Sequence, residues 1–221
     1  MSSAKLQGGA SGTGSVTLLA PNTNNTDVLT LPDVAADTLV GAAATQTLTN
    51  KTLGSGLVAG ASYLTSGTAV ASTSGTSIDF TSIPSWVKRI TVMFQGVSTS
   101  GTSTIQIQLG TGASPTYTTS GYLGNSQAIN NGSGSIGENN GAGFRLVANI
   151  SATSVQHGQI IISNISSNSW TEFGILGQSD AARINWSGGS VSLAAVLTAV
   201  RITTVNGTDT FDAGSINILW E

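Results

Sequence analysis

Residues 104–109 read Thr-Ile-Gln-Ile-Gln-Leu, a strict alternation of polar and apolar side chains. A period of two suits a strand with one buried face: Ile105, Ile107 and Leu109 point one way, Gln106 and Gln108 the other. The same alternation recurs at Ile90-Val92-Phe94, Ile184-Trp186, Val191-Leu193-Ala195, Val200-Ile202-Thr204 and Ile216-Ile218-Trp220. Denser apolar runs at 144–150 and 158–165 fit central strands, and 170–176 completes the set. Ser187-Gly188-Gly189 and Asn206-Gly207 are short enough for hairpin turns, while 98–103 and 130–143 are Gly/Ser/Asn-rich and expected to be loops. Residues 192–200 tolerate helix but lie between strands; no other stretch has an amphipathic helical period. The expected fold is all-β, an antiparallel sandwich of jelly-roll type with one wet and one buried face per strand.

Aromatic residues divide the chain. None precedes Tyr63, and aromatic side chains dominate core burial in globular domains. Residues 1–60 are therefore expected to form a separate segment, and residues 61–221 the sandwich. The front segment still carries short apolar runs, which bring in Leu18, Leu29 and Leu31, and then TQTLTNKTL at 45–53 with Leu48 and Leu53. Isolated strands of this length are marginal in water. Identical chains that wrap around one another would bury these leucines along a shared axis. A flexible tether is the other reading, although a tether has no physical need for apolar runs.

Charge narrows the function. Only 8% of residues are charged and the net charge is −3, so solubility rests on Ser, Thr, Asn, Gln and Gly. The seven Lys and Arg are scattered, which argues against binding to nucleic acid or to an anionic membrane surface. With no Cys, disulfides and thiolate chemistry are excluded. No apolar run reaches the roughly 18 residues of a membrane span, and no secretory leader is expected at the N-terminus. A protein made in a cytoplasm and released by lysis inside a virus particle fits these limits. Polar strand faces with few charges leave sheet edges thinly protected, as suits an assembled particle.

Catalytic patterns are sparse. His157, the one histidine, has no motif around it and is expected to be a strand-edge residue. Glycan cleavage would need two facing carboxylates, drawn from Asp79, Glu138, Glu172, Asp180, Asp209, Asp212 and Glu221. Asp209 and Asp212 fall in a stretch that reads first as a turn and second as a calcium loop. The expectation is no enzyme, no metal and no cofactor. Binding is better supplied: Tyr117, Tyr122 and Trp170 sit among Ser, Thr and Gly, a composition that suits stacking on sugar rings. For the two tyrosines, surface recognition and core packing are both open. Trp86, Trp186 and Trp220 are expected in the core.

The front stretch GSVTLLAPNTNNTDVLTLPDVAADTLVG, followed by AAATQTLTNKTL, resembles the N-terminal region of fibre and appendage proteins of tailed bacteriophages. The final stretch AVRITTVNGTDTFDAGSINILWE, and residues 83–90, resemble a β-sandwich module of phage virion proteins. The resemblance implies a homotrimer, anchored on other virion proteins through residues 1–60, that displays the sandwich as a knob for host attachment, with a surface glycan as a candidate receptor. It carries no catalytic residue. The chain is short and lacks a shaft, so a head fibre or decoration protein on the capsid is the alternative to a tail fibre. A glycan-depolymerising spike domain is the alternative from another class.

Overall fold

The computed structural model describes residues 64–130, 134–148 and 150–221. The expected anchoring and trimerisation residues Leu18, Leu29, Leu31, Leu48 and Leu53 lie outside the described residues. The described residues form strands and no helix: β1 (Thr65–Ser66), β2 (Val70–Ala71), β3 (Ser77–Phe80), β4 (Arg89–Thr99), β5 (Ile105–Thr111), β6 (Thr116–Tyr117), β7 (Leu123–Asn130), β8 (Ser135–Asn139), β9 (Phe144–Arg145), β10 (Gln156–Ser166), β11 (Ser169–Gln178), β12 (Arg183–Ser192), β13 (Leu197–Thr204) and β14 (Phe211–Trp220).

The strands make two antiparallel sheets. The larger has nine strands in the order β1-β14-β4-β10-β11-β12-β7-β8, with β2 also paired to β14. The smaller has five, β3-β13-β5-β6, with β9 on β5. The chain shuttles between sheets, β3 small, β4 large, β5 small, β13 small, β14 large, so their inner faces share one core. Ile90, Val92, Phe94, Ile160, Ile162 and Ile216 from the large sheet meet Ile78, Ile107, Leu109, Val200 and Ile202 from the small one. These are the residues that the period of two places inward.

Three expectations change. First, residues 144–150 are a strand only at Phe144–Arg145. Leu146, Val147 and Ala148 are fully buried as irregular chain, and the Leu146 N–H donates to the Ile105 carbonyl at 3.0 Å. Second, the 130–143 loop contains β8, an edge strand against β7. Third, Ser187-Gly188-Gly189 is no turn but the middle of β12, paired throughout with β11. Asn206-Gly207 does turn the chain between β13 and β14, with Gly207 at φ +68°. There the Asn206 Oδ1 accepts from the N–H groups of Thr208 and Asp209, at 3.0 and 3.1 Å, so the turn reading of this stretch describes it.

Candidate functional site

A strand that runs straight through residues 183–192 has consequences for its side chains. Ile184 and Trp186 have even numbers, Val191 an odd one. Without a turn to reset the parity, the two sets must face opposite ways. Val191 and the following Leu193 go into the core. Ile184 and Trp186 therefore face out, and Asn185 and Ser187 are carried inside. β11 behaves alike: Trp170 and Leu176 are buried, Phe173 and Ile175 exposed.

The interior accommodates the inward polar groups by pairing them. Asn185 is fully buried; its Nδ2 donates to Gln156 Oε1 at 3.4 Å, and its Oδ1 accepts from the Ala148 N–H at 3.4 Å. Gln178 Nε2 donates to Ser154 Oγ at 3.1 Å. Ser187 Oγ donates to Glu172 Oε1 at 2.5 Å, while Glu172 Oε2 is buried with no partner. Burial pushes the Glu172 carboxyl up to about 7, against the opposing pull of the Ser187 hydrogen bond.

Outside, the same strands carry an apolar face. Phe173 is 60% exposed and Trp186 48%, with Ile129, Ile175 and Ile184 exposed beside them. Ile175 lies directly opposite Trp186, and Ile184 opposite Ile129. At one end the face deepens into a groove of about 700 Å³ lined by Ile129, His157, Ala181, Ala182, Ile184 and Trp186. His157 Nδ1 accepts the Gly96 N–H at 3.2 Å, across a register shift between β10 and β4. His157 is the second residue of β10, which lies between β4 and β11, so it stands at a strand end within the sheet and not at a sheet edge.

The small sheet's outer face is polar. The Arg201 guanidinium stacks 3.9 Å from the centre of the Tyr117 ring and makes a bidentate pair with Asp79, at 2.7 and 2.8 Å. Burial, then the Asp79 carboxylate, raises the Tyr117 phenol. A hollow of about 340 Å³ beside them is lined by Gln106, Gln108, Thr119, Arg201, Thr203 and Asn206. More of its wall is polar than apolar.

The expected recognition residues separate. Tyr117 is half-buried on this polar face. Tyr122 and Trp170 are each 4% exposed and belong to the core, which corrects their surface assignment. The apolar interior takes the rings: Tyr122 packs edge-on to Phe144 with centroids 4.8 Å apart, and its hydroxyl accepts the Leu109 N–H at 2.8 Å. Burial pushes this phenol up to about 12. Tyr122→Phe should therefore lower stability by about 1–3 kcal/mol, because a buried N–H loses its acceptor. A urea midpoint equal to that of the wild type would contradict this.

Among the tryptophans, Trp220 packs partly buried against the core, but Trp86 and Trp186 do not. Trp86 is 55% exposed in a turn closed by the Val87 N–H on the Pro84 carbonyl, at 3.1 Å, which sends Ile83 and Val87 inward instead. Trp186 is outside by parity. The signal for it was present in the even and odd numbering, provided the glycine pair was not taken as a turn.

Every carboxylate among the described residues has a structural partner. Asp79 holds Arg201, and Glu138 holds Arg145 at 2.6 Å and Thr104 at 3.0 Å. Asp180 Oδ1 accepts the Val155 N–H, and Asp209 Oδ2 the Ser103 N–H. Asp212 pairs with Ser98, Glu221 with Arg89, and Glu172 with Ser187. Comparison with family models, with curated proteins and with solved structures finds no match for the chain.

Proposed function

We propose that this chain is a structural protein of a tailed-phage particle, a short homotrimeric fibre that residues 1–60 attach to other virion proteins. Its sandwich is displayed as a knob for contact with the host surface. The supporting observation is the sandwich itself: a sparsely charged all-β module with a broad exposed apolar face, in which each carboxylate among the described residues has a partner within the fold. Such a surface binds rather than cleaves. The likeness of 14–53 to phage fibre N-terminal regions supplies the particle. The polar hollow beside Tyr117 is the better place for a sugar, since Arg201, Gln108 and Thr203 line it with hydrogen-bonding groups.

Antibody labelling of intact particles, viewed by electron microscopy, tests the proposal. Label at the tail is the expected result; label on the capsid would make the chain a head fibre; unlabelled particles would overturn the virion reading. A chain lacking residues 1–60 should fold as a knob and fail to join particles. If it joined them as well as the full chain does, the division of labour would be wrong.

A further inference from the structure

We infer that the outer face of the large sheet, centred on Phe173, Ile175 and Trp186, packs against a second copy of this chain. Five adjacent strands, β4, β10, β11, β12 and β7, build the face. Phe173 stands directly opposite Ile161 on one side and Gly188 on the other; Ile175 stands between Gln159 and Trp186; Trp186 is followed by Gln127. Thr91 and Met93 extend these rows onto β4. The apolar side chains are thus contiguous rather than scattered.

Size comes next. Five strands at about 4.8 Å spacing and about four outward residues per strand cover on the order of 500 Å² in plan, about half of it under apolar side chains and the rest under Thr, Gln, Ser, Asn and Gly. Standing side chains add to that, so the face approaches the roughly 800 Å² that each partner contributes to a stable interface. It exceeds what a small-molecule subsite needs. A patch of this extent is at the upper end of what a monomer exposes to water, and such patches are often functional.

Charge then selects the occupant. In the two central rows of the face, Thr91-Ile161-Phe173-Gly188-Asn125 and Met93-Gln159-Ile175-Trp186-Gln127, no position is Asp, Glu, Lys or Arg; Arg89, one row further on and ion-paired with Glu221, stands at the rim. Two copies of a chain with net charge −3 repel each other where their charges meet, and this face is where they can meet without that cost. A foreign partner chosen by charge complementarity finds nothing here to read. The relief is also self-complementary: Gly188 leaves a hollow beside Phe173, and Gly177 one beside Ile184, so the same surface offers both projecting rings and places to seat them.

The inference is independent of the particle reading, and of association through residues 1–60. The test uses the full chain, which has no Cys of its own. Ile175→Cys places one thiol at the centre of the face, and Ser74→Cys one at an exposed bend elsewhere. Sedimentation gives the oligomeric state, and the maleimide reaction rate gives the cover over each thiol. The expected result is an oligomer in which the Ile175 thiol reacts about tenfold more slowly than the Ser74 thiol, as when nine copies in ten are covered. Dilution, or a second change of Trp186→Arg, should bring the two rates together. An oligomer whose Ile175 thiol labels at the Ser74 rate would overturn the inference and leave the front segment as the means of association. A monomer at all concentrations would overturn both. Slow labelling that neither dilution nor Trp186→Arg relieves would also overturn it, since the cover would then come from within one chain.

Discussion

Gly124→Ala is expected to cost the sandwich more than about 4 kcal/mol, at the extreme end for one added methyl group. Gly124 sits at φ +111°, a conformation that charges other residues about 1–3 kcal/mol. Space is the larger difficulty. A Cβ at this position would overlap the Gly188 carbonyl oxygen and lie 2.6 Å from the Gly189 Cα. Both are backbone atoms in the middle of β12, fixed by pairing with β11 on the far side, so neither can retreat without breaking that ladder. Gly121→Ala is the control. Its φ is +80° but nothing lies within 4 Å of the added carbon, so only the backbone term of about 1 kcal/mol applies. Urea unfolding followed by tryptophan fluorescence measures both, because all four Trp lie at residue 86 or beyond. Equal losses in the two variants would mean that the seam between β7 and β12 relaxes, and that close approach does not govern it.

The same seam explains what could and could not be read from the sequence. Alternation located the core of β4, β5, β13 and β14 correctly, because in those strands each apolar set is the inward set. It misplaced Trp186 because alternation gives two faces without saying which is inside. A glycine pair also has two physical uses: it can turn a chain, or it can let two strands approach where no Cβ fits. Gly189 takes the second use, with the Leu123 carbonyl, Asn140 and Phe144 crowding the place where a side chain would stand. Tyr122 and Trp170 were misplaced for a different reason. Their neighbours in sequence are Ser, Asn and Gly, but their neighbours in space are Phe144, Leu109 and the rest of the core, and local composition does not report those. Tyr117, from the same polar stretch as Tyr122, does lie at the surface. Its place is set by Arg201, eighty-four positions away in the chain, which stacks on the ring.

Parity also forces a carboxyl into the interior, and this makes stability depend on pH in an unusual direction. Glu172 is 3% exposed, one oxygen bonded to Ser187 and the other without a partner. Unfolded, the group releases its proton near 4.5; folded, burial holds the proton up to about 7. Between those values the folded state binds more protons than the unfolded one, so stability falls as pH rises. The contribution is complete below about pH 4.5 and gone above about 7, and it amounts to about 3 kcal/mol. Most proteins with paired carboxylates lose stability in the opposite direction, on acidification. The wild type should therefore show a higher urea midpoint at pH 5 than at pH 8, other titrating groups being common to the variant. Glu172→Gln keeps the shape and an acceptor for Ser187 but carries no proton to lose. It should be more stable than the wild type at pH 8, by about the same 3 kcal/mol, and should level the slope between pH 5 and 8. If the variant keeps the wild-type slope, the titrating group is elsewhere. If it is less stable than the wild type at pH 8, the ionised carboxylate has partners that offset its burial, and the inward turn of β12 is better satisfied than its unpartnered oxygen indicates.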